Sequence, residues 1–244
     1  MLPGPPSKTL VSDTWLTAAA GFDCFNLINP DFSPTDIDFP NGLITAKLDL
    51  SSTKTPERMS RAIQSGFRVI TFQVYLSGVF ERSMKLGRDW DREDLNFRQA
   101  IIGDQEEIVR LAEGSFSLDR FHSDPRLPKR TGDKIKGAWV ESFFRNERGN
   151  SLTVAEISGA ICGFLLTQES NDEILIDLIA VDRRFQGQGI ASELLGHQVG
   201  MKDLNRLRIS AGTQLSNGSS LRLYKACGLR EAKHEVVLHR VEGI

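Results

Sequence analysis

The sequence ILIDLIAVDRRFQGQGIASELL, residues 174–195, decides how this 244-residue chain is interpreted. Its first part is an almost wholly apolar run that ends at Val181, and such a run is typical of a central strand in a β-sheet. A short charged turn follows, and the two glycines of Gln186–Gly189 stand where a helix over residues 187–201 is predicted to begin. The segment therefore predicts a buried strand, a glycine-containing loop and a helix in direct succession.

The start of that helix has the physical character of an anion-binding site. The first turn of a helix leaves backbone N–H groups without partners, and the helix dipole adds positive potential there. Glycines let the backbone approach phosphate oxygens, and Arg184 adds a cation. The loop is not a Walker A sequence, because no lysine follows Gly189, and it has too few glycines for a dinucleotide fingerprint. A pyrophosphate is the ligand that it predicts.

A second informative segment is NGSSLRLYKACGL, residues 217–229. Asn217 is predicted to cap a helix, and Asn217, Ser220 and Tyr224 share one helical face because they are three and seven residues apart. The first segment resembles the coenzyme A loop of the GNAT superfamily of N-acetyltransferases. The second resembles that superfamily's Asn-x-x-Ala-x-x-x-Tyr-x-x-x-Gly-Phe sequence, with Ser220 in place of the alanine and Leu229 in place of the phenylalanine.

The GNAT resemblance implies an enzyme that uses acetyl-CoA as co-substrate, transfers its acetyl group directly to an amine and needs no metal. In this interpretation Tyr224 is the general acid, because a phenol with a pKa of about 10 can protonate a leaving thiolate with a pKa of about 8.5 once the site adjusts both. The resemblance implies these coenzyme-binding residues: Ile179, Ala180, Val181, Arg184, Phe185, Gln186, Gly187, Gln188, Gly189, Ile190, Ala191, Asn217, Ser220 and Tyr224.

The general base is less closely defined by the sequence. The attacking amine must lose a proton, and Asp177 on the predicted central strand is the first candidate for accepting it. His122 is the second candidate. A relay of water molecules without a named base is the third alternative, and the three stay open.

The acceptor is indicated by FSLDRFHSDP, residues 116–125, and by AWVE, residues 138–141. They resemble the Phe-x-x-x-Arg-Phe loop and the Trp-(Ile/Val)-Glu helix of the TDP-fucosamine acetyltransferase family. The resemblance implies a small-molecule amine on a nucleotide-linked deoxy sugar, bound by Arg120, His122 and Trp139. Positive charges nearby suit such an acceptor, namely Arg120, Arg126, Lys129 and Arg130. The alternatives are an acceptor that is a peptide N-terminus, a polyamine, an antibiotic or another small amine, or a non-catalytic coenzyme A-binding module.

Composition limits the other classes of function. The formal net charge is -2, so a general basic surface for nucleic acid is not expected. No apolar stretch reaches the roughly 18–20 residues that span a bilayer, and no signal peptide is visible. Three widely spaced cysteines suit a reducing cytoplasm. The oligomeric state stays open, with a homodimer among the alternatives.

The order of predicted elements favours an α+β fold, because antiparallel hairpins alternate with one β-α-β step. For residues 95–244 the resemblance implies the GNAT fold, a mixed and mostly antiparallel sheet flanked by helices. The charged residues 83–94 are predicted to be a linker, and residues 1–82 a small α/β N-terminal domain.

The N-terminal domain also resembles a partial GNAT unit. Residues 55–76 and 217–238 each predict a cap, a helix, a glycine and a strand at equal spacing, although this succession is common in unrelated proteins. Thr55 is the predicted cap of the first helix. Asp104 is predicted to cap another helix, with Glu107 as its capping-box partner.

Overall fold

The computed structural model describes residues 9–33, 37–81, 94–201 and 206–244, and the described strands form one ten-stranded sheet. The strands are β1 (Leu10–Ser12), β2 (Cys24–Leu27), β3 (Gly42–Asp49), β4 (Arg68–Glu81), β5 (Leu95–Gln99), β6 (Ser151–Ile157), β7 (Ala160–Glu169), β8 (Glu173–Val181), β9 (Arg206–Gln214) and β10 (Arg230–Glu242). Their order across the sheet is β1-β2-β3-β10-β4-β9-β8-β7-β6-β5, and β2–β3 and β8–β9 are the parallel neighbours. The predicted α+β class and mixed, mostly antiparallel sheet are confirmed.

Six α-helices flank the described sheet: α1 (Thr14–Ala20), α2 (Thr55–Gln64), α3 (Gln105–Ser115), α4 (Thr131–Phe144), α5 (Ile190–Gly200) and α6 (Gly218–Ala226). Helices α3 and α4 bury Ile108 and Val140 against Phe164 and Leu178 on one face of the sheet. Helices α5 and α6 pack on the opposite face, where the apolar side chains of β4, β8 and β9 form the largest core cluster. Both faces of the central strands are therefore buried, as the apolar run in β8 predicts.

The two helix–glycine–strand segments interlock in the middle of the sheet. Strand β10 lies between β3 and β4, and β4 lies between β10 and β9. The segments β3-α2-β4 and β9-α6-β10 are thus interleaved strand by strand, and each helix is followed by a glycine with positive φ, Gly66 at 86° and Gly228 at 80°. The sheet is continuous across the proposed division into residues 1–82 and 95–244. That division stays a prediction, and its linker lies outside the described residues apart from Asp94.

The predicted Thr55 cap is wrong, whereas Asp104 lies at the predicted cap position of α3 but makes no side-chain cap hydrogen bond. Helix α2 begins at Thr55 itself, and the Thr55 hydroxyl donates to the carbonyl of Asp49 rather than capping the helix. The Asp104 carboxylate accepts hydrogen bonds from Arg98 and from the Ile101 N–H, so it does not form the capping box with Glu107. In both cases the side chain forms its hydrogen bonds with groups outside the helix, so it does not bond to the first-turn amides as the local pattern predicts.

In the part of the chain that the structure describes, no helix is both long and apolar enough to span a membrane. The described His, Cys, Asp and Glu side chains also form no group of three or more that could hold a metal ion.

Candidate active site

The sheet opens between its two central parallel strands. Strand β8 pairs with β9 only from Glu173 to Ile176, opposite Arg208 to Ala211, although β8 continues to Val181. Along residues 177–181 the described ladder of β8 is the one with β7, so Ile179, Ala180 and Val181 have their β9 side open. The opening starts where the β7–β8 register shifts between Ile176 and Leu178, which makes Asp177 the bulged residue. A bulge bends a strand, and here it accompanies the separation of β8 from β9.

The predicted phosphate loop lies directly after this open part of β8. The helix itself begins at Ile190, three residues later than predicted, because Gly187 and Gly189 both adopt left-handed conformations, with φ of 76° and 83°. Gly189 occupies the cap position and has no side chain with which to cap the first turn of α5. A Cβ atom at Gly187 would meet nothing within 4 Å, so the space beside this residue is open. The loop therefore leaves room for an anion beside the start of α5, where first-turn amides can bind one.

The side chains of the loop hold its shape. Asp182 accepts from the Arg184 N–H at 2.9 Å, and its carboxylate also forms a two-point ion pair with the Arg184 guanidinium, with hydrogen bonds of 3.0 and 2.9 Å. Gln186 donates to the carbonyl of Val181 at 2.9 Å, which ties the loop back to β8. Arg184 is thus balanced by Asp182, and the backbone amides are the principal anion-binding groups that the loop offers.

Helix α6 is built as the sequence predicts. The Asn217 side chain accepts from the Ser220 N–H at 3.1 Å and caps the helix. Tyr224 is 3% exposed and belongs to the same core cluster as Ile176 and Ala211, the last β8–β9 pair before the opening. Burial, and next the neighbouring Cys227, raise the pKa of Tyr224 above its ordinary value, so the phenol keeps its proton at physiological pH.

Asp177 is held by an arginine. The Arg148 guanidinium donates to both oxygens of Asp177, at 2.6 and 2.7 Å, and lies 4.1 Å from the ring centre of Trp139. The predicted substrate residue Trp139 thus stacks on the arginine that fixes the predicted base. An incoming amine would have to displace Arg148 to reach Asp177, so the geometry favours a positioning role for this carboxylate.

His122 links the loop before α4 to that helix through contacts with one carboxylate on each. Its Nδ1 lies 2.7 Å from Asp119 and its Nε2 lies 3.0 Å from Asp133. A Cβ atom at Gly132 would meet the imidazole at 2.3 Å, which shows how tightly the ring is packed. Both ring nitrogens contact carboxylates, which favours a structural contact, and the base and substrate-binding roles of His122 stay predictions.

We expect this contact to make stability fall at alkaline pH. The hydrogen bond with Asp119, more than the opposing burial, raises the pKa of His122. Burial raises the pKa of Asp119, but His122 and Lys136 together outweigh it and hold that pKa at about 2. A raised folded pKa gives stabilisation that is complete below the unfolded value of about 6.5 and is lost as pH rises through the folded value. The free energy of unfolding of the wild-type protein should fall by about 1–3 kcal/mol as this contact is lost, and His122→Gln should abolish that fall. Urea unfolding at pH 6 and pH 9 measures it, and equal pH dependence in the two proteins would contradict the assignment.

The positively charged residues that the sequence predicted near the acceptor lie in different surroundings in the structure. Arg126 pairs with the buried Asp124, and Arg130 lies 3.6 Å from both Glu113 and Asp133. Arg120 instead turns inward, and its Nε is buried without a hydrogen-bond partner in the described part of the chain. Lys129 is exposed, so Arg120 is the member of this group that combines an inward position with an unpartnered nitrogen.

Three polar residues near Arg120 were not predicted from the sequence. Lys47 donates to the Tyr75 hydroxyl at 3.5 Å, and Tyr75 donates to the buried Glu235 at 2.8 Å. A weak signal was present, because Lys47 interrupts the apolar strand β3 and Glu235 immediately precedes an apolar run in β10. Only the pairing of β3, β10 and β4 brings the three together, and that pairing joins distant parts of the chain.

Solved structures share this fold. The chain aligns with a GCN5-related N-acetyltransferase from Sphaerobacter thermophilus at a TM-score of 0.56 and 20% identity, over 83% of this chain and 61% of that one. A GCN5-related N-acetyltransferase from Kribbella flavida gives a TM-score of 0.56 at 10% identity, over 96% of this chain and 88% of that one. The second alignment includes almost the whole chain, so the N-terminal strands are part of the shared architecture.

Sequence comparisons find a relative, and a protein family whose matched residues include the candidate active site. The spore coat polysaccharide biosynthesis protein SpsD of Bacillus subtilis (strain 168) is 35% identical over 127 residues, which are 52% of this chain but only 44% of that protein. The Acetyltransferase (GNAT) family matches residues 107–229, which are half of the chain and include β8, the glycine loop and Tyr224. The protein therefore belongs to the GNAT acetyltransferase family.

Proposed function

We propose that this protein is an acetyl-CoA-dependent N-acetyltransferase that acetylates the primary amine of a nucleotide-linked amino-deoxy sugar. The observation that carries the proposal is the combination of an uncapped amide end on α5, an opening between β8 and β9, and a buried tyrosine behind that opening. These parts can hold a diphosphate, admit an extended arm and deliver a proton. A protein that only bound coenzyme A would not need the buried tyrosine.

Acetyl-CoA supplies the acetyl group as a thioester when it is bound. The N–H groups at Gly187–Ala191 hold the diphosphate, and the open side of Ile179–Val181 accepts the arm and offers a backbone N–H to the carbonyl oxygen. As the amine lone pair forms the new C–N bond and the C–S bond breaks, Tyr224 donates its proton to the sulfur. The proton released by the amine passes to water, and Tyr224 recovers one from solvent.

Asp177 acts in this proposal through Arg148, so we expect Asp177→Asn and Arg148→Met to lower kcat/KM by similar factors of about ten. Both changes break the same two-point contact beside the bulge. The pH profile of kcat should keep its shape in both variants, because neither removes a proton acceptor. A profile that loses its acidic limb only in Asp177→Asn would instead identify Asp177 as the base.

The sugar acceptor is supported by two observations of different kinds. The SpsD relative is described as a polysaccharide biosynthesis protein, which suits an amino-sugar substrate. The inward-facing Arg120 and the neighbouring Lys47 suit an acceptor that carries negative charge. Cytoplasmic location is part of the same proposal, since the three cysteines are widely spaced in the sequence and buried.

An assay of coenzyme A thiol release with a panel of amines tests the proposal. The panel should contain a thymidine diphosphate-linked amino-deoxy sugar, the matched free amino sugar, spermidine and a short peptide with a free N-terminus. We expect the highest kcat/KM with the nucleotide-linked sugar. A preference for spermidine or the peptide would replace the proposed acceptor, and coenzyme binding without turnover on any amine would indicate a non-catalytic module.

A further inference from the structure

A continuous group of polar side chains lies on the sheet face that carries α1 and α4. On β3, Leu43 packs toward α1, whereas Ile44, Ala46 and Leu48 pack on the α2 side, so alternation places Lys47 on the α1 side. From there the contacts run through Tyr75 on β4 to Glu235 on β10, and Lys233 donates to Glu235 at 2.6 Å. We call Lys47, Tyr75, Lys233, Glu235 and Arg120 the cationic face.

The position of the cationic face relates it to the opening between β8 and β9. Tyr75 pairs with Gly212 on β9, and Gly212 follows Ala211, the last β9 residue that pairs with β8. A Cβ atom at Gly212 would meet the Tyr75 ring at 3.5 Å, so the ring lies directly beside this exposed glycine. Neighbouring strands are about 4.8 Å apart. The cationic face thus begins one strand away from the opening where the acetyl group is proposed to lie.

Charge on the cationic face is unbalanced. Among its described members, Arg120, Lys47 and Lys233 are cations, and Glu235 is the single carboxylate. Asp49 lies outside the face and also attracts Lys233, but its carboxylate accepts hydrogen bonds from the Ser51 N–H and hydroxyl. Asp119 and Asp13 also attract Arg120, but Asp119 is hydrogen-bonded to His122 and the Phe121 N–H, and Asp13 to Asn26 and the Leu16 N–H. Arg120 keeps a buried Nε without a partner. Burial, followed by the charge of Arg120, lowers the pKa of Lys47, as expected where positive charges crowd together.

We infer that the cationic face is a binding site for the diphosphate of a nucleoside diphosphate-linked acceptor, separate from the coenzyme diphosphate site at α5. Lys47 and Lys233 reach it from the solvent side, and Arg120 forms its enclosed end. Because the face begins beside the opening, a bound diphosphate there directs the attached sugar amine toward the opening. The inference rests on the proposed function for the identity of the acceptor, but the site itself is defined by its affinity for a diphosphate.

Calorimetry with thymidine diphosphate in the presence of saturating coenzyme A tests the inference. Coenzyme A blocks the α5 site, so the remaining affinity reports the cationic face. We expect wild-type protein to bind thymidine diphosphate but not thymidine. Lys47→Gln should weaken the binding of thymidine diphosphate about tenfold or more, because it removes a charge-assisted contact. Lys54→Gln, an exposed lysine before α2, is the matched control and should bind like wild type.

The outcomes separate this inference from the proposed function. Absence of thymidine diphosphate binding at millimolar concentration, or equal affinity in wild type and Lys47→Gln, would overturn the inference even if a sugar amine is acetylated. Weakened binding in Lys47→Gln without acetylation of any sugar amine would retain the diphosphate site and reject the proposed acceptor. If both stand, Lys47→Gln should raise KM for the nucleotide-linked sugar and leave KM for acetyl-CoA unchanged.

Discussion

Tyr224→Phe is expected to lower kcat by about 10²- to 10⁴-fold, while KM for acetyl-CoA changes by less than about threefold. The variant removes one hydroxyl from a side chain that is 3% exposed and leaves the ring that packs beneath the opening. The raised pKa of Tyr224 keeps the phenol protonated at physiological pH, so its loss removes a proton donor and little binding energy. Steady-state kinetics with acetyl-CoA and the preferred amine measure both parameters.

Cys227→Ala is the matched control for this prediction. Cys227 is buried in the same cluster, and burial raises its pKa to about 11, so it is an unreactive thiol. The variant should keep kcat within about threefold of wild type because no acyl-enzyme is proposed. A Tyr224→Phe enzyme with wild-type turnover would remove the acid assignment, and an inactive Cys227→Ala enzyme that remains folded would require a different mechanism.

Gly187→Glu is expected to weaken acetyl-CoA binding by about a hundredfold or more while the protein remains folded. A carboxylate at this position faces the same open space that the diphosphate is proposed to occupy, beside the first turn of α5, whose cap residue is a glycine. The left-handed φ of 76° also adds strain of about 1–2 kcal/mol for any residue with a side chain. Calorimetric titration with acetyl-CoA gives the affinity, and circular dichroism reports the fold.

Gly187→Gln separates charge from strain. Glutamine has nearly the same shape as glutamate and bears the same backbone strain, so the difference between the two variants reports the repulsion of the diphosphate. We expect Gly187→Gln to bind acetyl-CoA at least about tenfold more tightly than Gly187→Glu. Equal affinities would show that the loop is only a turn and that its amides do not contact the diphosphate.

The parts of the site that depend on local sequence could be predicted. The apolar run was predicted to form a strand that ends at Val181, and β8 ends there, because a long apolar run is a strong local signal. The Asn217 cap is confirmed, since the residue lies one position before the helix that it closes. The left-handed glycines of the loop delay the start of α5 by one turn, which the glycine spacing alone did not indicate.

What could not be predicted depends on pairing between distant segments. The short elements β1, α1 and β2 lack the length for a clear period, and they are stabilised by contacts with β3 and α4. The strand that was predicted to close the segment 55–76 extends to Glu81, because its second half pairs with β9, about 130 residues later. The cationic face follows from the same interleaving, since Lys47 and Glu235 meet only when β10 lies between β3 and β4.

The central claim is that the backbone amides at the start of α5 bind the diphosphate of acetyl-CoA. The most direct measurement is the change in ¹⁵N–¹H amide shifts across residues 186–191 as coenzyme A is added. We predict that the largest shifts in the protein include Gly187, Gly189 and Ile190, and that adenosine without phosphates does not reproduce them. Coenzyme A binding that leaves these amides unchanged would contradict the account.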